Sequence, residues 1–397
     1  MSTRGVAVPL AGLHARRLTS RVLRRGGGSA ALDRSNLRFE VSAHRSFDFR
    51  AGEFGRLFAR SGASPFQHPL WLDRLYAHLV ADAGAEPAVV TLRCGRTGQL
   101  AAVLPLVRRK YLGFRFVEFA DLGVSDYVIP ICDRELTSAI LADCGIGRQI
   151  RDVLQPYDLA RISKIPDDAL PLAHMLMAGQ PSRMATTAHA VPLFAPFSQW
   201  RTMMLKARRL RSLDRKRKKL SRKGKIRIDL LSDADAIAAA LSTMRQFRQS
   251  RFAARGWPDI LQRDAYWKFY LDVAVQGVAS GLARTHILRL DQRLLGVMFG
   301  LAHGETYFFL LMGFDFSRFR NYSVGLLVLE DLAADCIARG DRLLDLTTGD
   351  EAYKYDFGTT ATVLSEIRAA RTLAGTLASA ALEARWTRAL AKHILQG

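Results

Sequence analysis

Apolar and polar residues follow helix-like and strand-like spacings in an order that occurs twice along the chain. In the first occurrence, apolar residues at helical spacing over 70–79 precede strand patterns at 88–94, 100–107 and 114–119, a helix pattern at 135–150 and a strand pattern at 159–162. In the second, strand patterns at 285–290, 294–301 and 307–312 precede a helix pattern at 325–339 and a strand pattern at 343–346. This repetition predicts two similar domains of the α/β (α+β) class with mixed, largely antiparallel sheets.

The segment between the two repeats predicts a linker followed by a very basic helix. Pro181, Pro192 and Pro196 interrupt the chain, and apolar residues then recur at steps of three and four from Trp200 to Leu220. The predicted divisions are a disordered basic tail over residues 1–36, a first domain over 37–190, the linker and basic helix over 191–227, and a second domain over 228–397.

One apolar stretch, residues 294–314, is long enough to cross a membrane. Its centre contains His303, Gly304 and Glu305, and an acidic residue in the middle of a bilayer costs about 3 kcal/mol. We therefore predict a β-hairpin with its turn at Gly304 and Glu305, and no transmembrane helix.

The positive charge is concentrated in two parts of the chain. The formal net charge is +21, and residues 201–227 contain 14 Lys or Arg and a single acid, Asp214. The tail carries six arginines before its first acid, Asp33, which fits either a disordered tail or a membrane-surface or targeting segment. Each cation near an anionic membrane is worth about 1 kcal/mol, so we expect a cytoplasmic protein in peripheral contact with the inner membrane through residues 201–227. Nucleic acid is a less favoured partner.

Composition and cysteine spacing exclude several classes of protein. Hydrophobic residues make up 49% of the chain and charged residues 24%, which is typical of a globular protein. The four cysteines form no CxxC pair, so the sequence predicts a reducing compartment and no bound metal. Neither a Ser–His–Asp order nor a Walker loop is present, which disfavours hydrolases and NTPases.

The loop before the predicted helix at 325–339 contains the most informative local chemistry. A turn rich in small residues at a helix start exposes backbone N–H groups, and the helix dipole adds partial positive charge there. Such a turn binds a pyrophosphate or simply caps the helix. The candidate donor-binding residues are Arg318, Arg320, Asn321, Tyr322, Ser323, Val324 and Gly325. The equivalent helix start in the first repeat, Leu136-Thr137-Ser138-Ala139, contains neither glycine nor arginine, so only the second domain is expected to bind a nucleotide donor.

Residues 243–360 resemble the CelD-like group of GNAT acetyltransferases, which are distant relatives of the FemAB peptidyltransferases. The most specific match is Gly349-Asp350-Glu351-X-Tyr353-Lys354 after a strand. The loop Tyr322–Gly325 also matches, although the group usually has proline where this chain has Val324. The other matching residues are Phe247, Arg248, Arg251, Phe252, Arg255, Gly256, the hairpin from Gly296 to Gly313 and Asp315. The first domain is similar to the degenerate N-terminal GNAT-like domain of this group.

The resemblance implies two tandem GNAT-like domains joined by the basic helical segment, with acyl-CoA as co-substrate. In such a fold the thioester lies between two splayed strands. Asp350 and Glu351 are then the candidate bases, Tyr353 the candidate acid for the leaving thiolate, and Lys354 the candidate stabiliser of negative charge. Arg248, Arg251 and Arg255 lie at helical spacing and are candidate contacts for an anionic acceptor.

Three functions remain open from the sequence. The first is acyl-CoA-dependent N- or O-acylation of a cell-envelope acceptor, either a polysaccharide precursor or an amino-lipid. The second is an aminoacyl-tRNA-dependent transfer like that of the FemAB group, with the basic helix binding RNA. The third is a non-catalytic protein on a GNAT scaffold that binds membranes or nucleic acid.

Overall fold

A computed structural model describes residues 37–394, with side chains described as far as residue 383. The predicted basic tail lies outside the described residues. Over the described range the fifteen strands are β1 (Phe39–His44), β2 (Ala85–Pro87), β3 (Val89–Cys94), β4 (Leu100–Leu104), β5 (Leu106–Tyr111), β6 (Phe114–Phe119), β7 (Ile131–Cys132), β8 (Leu159–Pro166), β9 (Gln180–Pro192), β10 (Ile226–Leu231), β11 (Ala283–Leu290), β12 (Arg293–His303), β13 (Thr306–Phe314), β14 (Leu343–Thr348) and β15 (Thr360–Ala370). The thirteen helices of the same range are α1 (Gly52–Arg60), α2 (Pro69–His78), α3 (Thr137–Ala142), α4 (Ile146–Val153), α5 (Leu170–Met177), α6 (Phe197–Met204), α7 (Ala207–Ser221), α8 (Ala234–Ala253), α9 (Asp264–Gln276), α10 (Phe316–Phe319), α11 (Val324–Ala338), α12 (Ala352–Asp356) and α13 (Leu373–Ile394).

Eleven of these strands form one continuous sheet in the order β10-β11-β12-β13-β14-β9-β15-β8-β6-β5-β2. The remaining four form a smaller antiparallel sheet in the order β1-β3-β4-β7. Within the described residues, the two parallel pairs are β6 with β8 and β13 with β14, and the other pairs are antiparallel. The prediction of a mixed, largely antiparallel α/β fold is confirmed.

Each half of the chain contains a parallel strand pair that separates after a short ladder. Phe116–Glu118 pair with Leu159–Arg161 in the first half, and Thr306–Phe308 pair with Leu343–Asp345 in the second. Beyond these residues β6 and β8, like β13 and β14, continue without pairing to each other, which leaves a gap between them. Each gap opens beside a residue with positive φ, Lys164 in the first half and Thr347 in the second.

The two halves exchange a strand. β9 follows β8 along the chain but pairs with β14, whereas β15 follows β14 but pairs with β8. β9 and β15 also pair with each other, so they lie side by side at the centre of the large sheet. The predicted boundary at residue 190 falls inside β9, and the domain boundaries stay a prediction.

The residues around Pro105 form two strands where the apolar pattern predicted one. Proline has no N–H to donate to a ladder, and the chain leaves the small sheet at Leu104 and enters the large sheet at Leu106. The expected helix at 135–150 is similarly divided into α3 and α4, because the Asp143 carboxylate accepts from the N–H of Gly145 at 2.9 Å and forms a turn there.

The proline-rich linker contains the thirteen-residue strand β9. Pro181 is accommodated because β14 pairs only with residues from Ala188 onward, so β9 is an edge strand at its beginning. The predicted basic helix is present as α7, with α6 before it as a separate helix.

The apolar stretch at 294–314 forms the predicted hairpin, since β12 and β13 are joined by a turn at Gly304 and Glu305. Among the described residues, the helices are all too short or too polar to span a bilayer. The halves also share a core, in which Trp71 of α2 packs edge-on against Phe269 of α9 at 4.8 Å.

Candidate active site

The gap between β13 and β14 lies beside the start of α11. After β13 the chain passes through α10 and a short 3-10 turn to Ser323, whose φ of 52° and ψ of 42° are left-handed. The N–H groups of Val324 and Gly325 are in the first turn of α11, where a helix offers them no carbonyl. A Cβ at Gly325 would lie 3.2 Å from the Phe314 ring, so glycine lets the helix start lie close to β13.

The predicted donor-binding residues divide into an exposed and a buried group. Arg318, Arg320 and Asn321 are exposed, whereas Tyr322 and Val324 are buried. Two open cavities of about 590 and 550 Å³ lie beside the turn, and Arg293 and Arg318 line both of them. The N–H groups of this helix start and the exposed guanidinium groups of Arg293 and Arg318 fit a phosphate-containing ligand.

Helix α7 packs over the same loop. The ammonium of Lys216 donates to the carbonyl of Asn321 at 2.5 Å, and the ammonium of Lys219 lies 4.9 Å from the centre of the Tyr322 ring. Arg217 binds the carboxylate of Glu330 on α11 at 2.7 Å, and that carboxylate is 1% exposed. The basic helix is therefore anchored to the candidate donor-binding helix by an ion pair with a buried carboxylate.

A cluster of polar side chains occupies the gap between the two strands. The hydroxyl of Tyr127 donates to both carboxylate oxygens of Asp345 at 2.9 Å, and the N–H of Thr347 donates to one of them at 2.7 Å. Burial raises the pKa of Asp345 to about 7. The hydroxyl of Thr348 donates to Asp126, whose pKa is also raised by burial. Asp126 and Tyr127 come from the first half, so the cluster is built by both halves.

Lys354, the candidate stabiliser of negative charge, is 2% exposed and faces the end of β14. Its ammonium donates to the carbonyls of Thr347, Thr348 and Gly349 at 3.3, 3.0 and 2.9 Å and lies 3.0 Å from the Glu351 carboxylate. These contacts of the ammonium group hold the end of β14 against α12.

Asp350 faces β9, on the side of β14 away from β13. Its carboxylate accepts from the hydroxyl of Thr187 at 2.5 Å and lies 3.2 Å from Nε2 of the fully buried His189. These contacts outweigh partial burial and lower the pKa of Asp350. Glu351 is exposed. The predictions that Asp350 and Glu351 act as bases stay predictions.

Tyr353 connects the Asp350–Lys354 segment to the donor loop. It is half-buried against the apolar cluster that contains Val324, and burial is the main reason that its pKa is raised. The nearby charge of Arg251 acts in the opposite direction. Arg251 in turn lies 5.0 Å from the Phe314 ring, which packs at Gly325. The structure thus brings Tyr353, Arg251 and the turn at Gly325 into one region.

The three candidate acceptor arginines have different surroundings. Arg248 is paired with the buried Asp259 at 2.7 Å, and Arg255 is exposed and lies 5.2 Å from the Trp257 ring. Arg251 lines the 550 Å³ cavity, and its Nε is buried without a hydrogen-bond partner. Of the three, Arg251 is the one whose guanidinium is oriented toward the donor loop.

Sequence reasoning missed Asp126, Tyr127 and Asp345. A signal for Asp345 was present, because an acid inside the apolar strand Leu343–Thr348 needs a reason to be buried. Asp126 lies in a loop and carried no comparable signal. Over residues 37–383, His, Cys, Asp and Glu side chains form no group of three that is suited to a metal ion.

Comparison with known proteins identifies the second half. Residues 207–355 match the family model described as an acetyltransferase (GNAT) domain, a range that begins with α7 and ends within α12. It includes the turn at Ser323, β14 and the Asp350–Lys354 segment. No curated protein matches the chain.

Solved structures resemble the fold of both halves together. FemX is similar with 11% sequence identity and a TM-score of 0.55, over 82% of this chain and 96% of FemX. L-PGS from Bacillus licheniformis has 10% identity and a TM-score of 0.52, over 84% of this chain and 95% of its own. A conserved protein of unknown function from Bacteroides thetaiotaomicron VPI-5482 has 8% identity and a TM-score of 0.52, over 84% of this chain and 100% of its own.

At these identities the likeness establishes the fold alone. The resemblance to GNAT acetyltransferases is confirmed at the level of the domain, whereas the narrower CelD-like assignment stays a prediction. A GNAT domain implies acyl-CoA binding in general. This domain carries the turn at Ser323 and the two strands that border the gap, and the protein is an acyltransferase.

Proposed function

We propose that the protein transfers an acyl group from acyl-CoA to an amine or hydroxyl of a cell-envelope precursor. The observation that carries the proposal is the position of the acidic cluster in the gap between β13 and β14, beside the N–H groups of the helix start at Ser323–Gly325. Those N–H groups, Arg293 and Arg318 fit the diphosphate of an acyl-CoA. We place the thioester beside the end of the gap, next to the acidic cluster that occupies it.

Asp126 is the best base in this arrangement. Its raised pKa makes its carboxylate a stronger base than an exposed aspartate, and Thr348 holds it at the gap. Attack of an amine on the thioester carbonyl releases a proton, which Asp126 accepts, and the departing thiolate must gain a proton. Asp126→Asn should therefore lower kcat by about a hundredfold or more and leave the affinity for acetyl-CoA unchanged.

Donor binding can be tested by calorimetry with acetyl-CoA. We expect saturable binding, and we expect Arg318→Met to weaken it about tenfold because one charge-assisted contact is lost. Arg96→Met, an exposed arginine of the β3–β4 turn, is the matched control and should bind like the wild type. Absence of binding to acetyl-CoA and longer acyl-CoAs would disprove the proposal.

The outer face of α7 supports an envelope location for the acceptor. The face opposite the anchored side carries a row of cations at steps of three and four residues. All are exposed, and among the described residues none of their side chains is in a hydrogen bond or ion pair. We call this row the basic ridge: Arg208, Arg211, Arg215, Lys218 and Arg222. Such a ridge suits the anionic surface of the inner membrane.

Vesicle sedimentation tests the role of the basic ridge. Changing Arg208, Arg211 and Arg215 to Gln should weaken binding to phosphatidylglycerol-containing vesicles about a hundredfold. The matched control changes three exposed arginines of the first half to Gln, namely Arg45, Arg50 and Arg96. If the ridge variant instead loses a steeply salt-dependent affinity for tRNA and keeps its vesicle binding, the aminoacyl-tRNA-dependent function gains.

A further inference from the structure

One end of the large sheet exposes apolar side chains at the tip of the β5–β6 hairpin. Phe116 of β6 pairs with Leu159, the first residue of β8, so the two β6 residues before Phe116 extend about 7 Å beyond the start of β8. The turn that joins β5 to β6 lies further out still. Tyr111 and Leu112 are 47% and 78% exposed there, so the hairpin ends in apolar side chains that protrude from the sheet.

Leu112 has a backbone conformation that is unfavourable for leucine. Leu112 and Gly113 form the two-residue turn of the hairpin, and their φ values are 50° and 84°. Positive φ at both positions is typical of a type I′ turn, which favours asparagine, aspartate or glycine. A leucine is sterically disfavoured there, and because it is mostly exposed it gains little from burial. The fold itself therefore does not account for a leucine at this position.

Helix α13 begins beside this hairpin, because β15 ends opposite the start of β8. The carboxylate of Asp158 accepts from the hydroxyl of Thr372 at 3.0 Å and from the guanidinium of Arg115 at 2.8 Å. A Cβ at Gly375 would lie 1.8 Å from the carbonyl oxygen of Asp158, so glycine lets the first turn of α13 approach this closely. Asp158 therefore holds the start of α13 next to the base of the hairpin.

The outer face of α13 adds to the apolar surface. Leu373 and Leu377 lie one helical turn apart on this face and are 87% and 67% exposed. Ala378, on the inner face, is buried in a cluster with Phe116 and Leu159 of the sheet. We call the four exposed side chains of the hairpin and the helix the apolar tip: Tyr111, Leu112, Leu373 and Leu377.

Cations border the base of the apolar tip. Lys110 and Arg115 are directly opposite each other across the hairpin, a pairing of like charges that weakens a sheet. Arg115 is paired with Asp158, whose side chain is 7% exposed, and Arg371 before α13 lies 3.4 Å from Asp152. Lys110 and the two arginines all reach the surface. The surface around the tip therefore presents more positive than negative charge.

We propose that the apolar tip is a membrane contact, whose leucines enter the boundary between headgroups and acyl chains of an anionic bilayer. The leucines are thereby removed from water, and the cations at the base of the tip reach the lipid phosphates. A protruding hairpin with a small apolar area suits a bilayer better than a second copy of the chain, because a stable dimer buries about 1,600 Å². Four strands separate β6 from β13, beside which α11 and α7 pack, so the apolar tip and the basic ridge are separate contacts.

Vesicle sedimentation with the full-length protein tests the proposal. Leu112→Asn should weaken binding to phosphatidylglycerol-containing vesicles about tenfold. Because asparagine is favoured in a type I′ turn, the same change should leave the melting temperature unchanged or raise it, which separates a role in binding from a role in folding. Adding Leu373→Asn should weaken binding about a hundredfold in total. Leu141→Asn, at an exposed leucine of α3, is the matched control and should bind like the wild type.

Insertion of the tip has a readout of its own. In Leu112→Trp, lipids brominated on their acyl chains should quench the added fluorescence, whereas a tip that stays in water would not be quenched and would overturn the inference. Unchanged vesicle binding by Leu112→Asn and by the double variant would also overturn it. If those variants instead lose self-association, measured by sedimentation velocity without lipid, the tip is an interface between copies. The proposed function is decided separately, by acetyl-CoA binding.

Discussion

Two buried ionisable residues near the end of β14, Asp345 and Lys354, have very different surroundings. Lys354 is surrounded by three carbonyls and a carboxylate, all of which stabilise its positive charge. Asp345 accepts hydrogen bonds from Tyr127 and Thr347, but burial outweighs them and its pKa rises to about 7. Near neutral pH this carboxyl group can be either charged or protonated, which suits a residue beside a site of proton transfer.

The raised pKa of Asp345 predicts a pH-dependent stability. An unfolded aspartate has a pKa of about 3.9, so the folded state binds this proton more tightly. The stabilisation is fully present below about pH 4 and is lost as the pH rises through about 7. In the wild type the free energy of unfolding should therefore decrease by on the order of 1 kcal/mol per pH unit as this stabilisation is lost. In Asp345→Asn this decrease should be absent.

Urea unfolding at several pH values between about 4 and 8 measures the effect. Asp168→Asn, which changes an exposed aspartate before α5, is the control and should follow the pH dependence of the wild type. Parallel curves for the wild type and Asp345→Asn would contradict the prediction.

At the scale of elements, the second half was more predictable than the first. Alternation and helical spacing identified β11 to β14 and α11, because these elements are long and bounded by clear turns. The strand exchange could not be predicted, since β9 pairs with β14 more than 150 residues later and one sequence contains no signal for that partner. Local motifs likewise identified the turn at Ser323 but not the first-half loop that supplies Asp126.

Lys354 joins two elements, and its removal should destabilise both. Lys354→Met keeps the volume of the side chain but leaves the carbonyls of Thr347, Thr348 and Gly349 without this donor. We expect a loss of about 2 kcal/mol in the free energy of unfolding, measured by urea denaturation. Lys110→Met, at an exposed lysine of β5, should change the stability by less than about 0.5 kcal/mol. A similarly small loss for Lys354→Met would show that these Lys354 contacts do not stabilise the fold.

For the whole molecule, the exchange of β9 and β15 makes the halves depend on each other for folding. The first half alone would contain β9 without its neighbours β14 and β15, and β8 without β15. Unpaired strand edges of this length promote aggregation. We therefore expect one cooperative unit over the described residues.

Fragments test this dependence. We expect residues 1–194 and residues 195–397 to be aggregated or unfolded when expressed separately, and to form a folded 1:1 complex when expressed together. Size-exclusion chromatography and circular dichroism measure the outcome. As a control, the intact chain with a protease site inserted after residue 194 should stay assembled after cleavage. A separate fragment that is monomeric and unfolds cooperatively would contradict the prediction.

Two strand crossings in opposite directions also restrict how the halves can move. Enzymes with two domains on one flexible connection open and close by rotation about it, but here such a rotation would break the ladders of β9 with β14 and of β15 with β8. The spacing between the two clefts is consequently set when the chain folds. Reactants therefore enter two openings that are already formed. The rate of turnover should depend on diffusion into these openings and on the chemical step, not on a closing motion of the two halves.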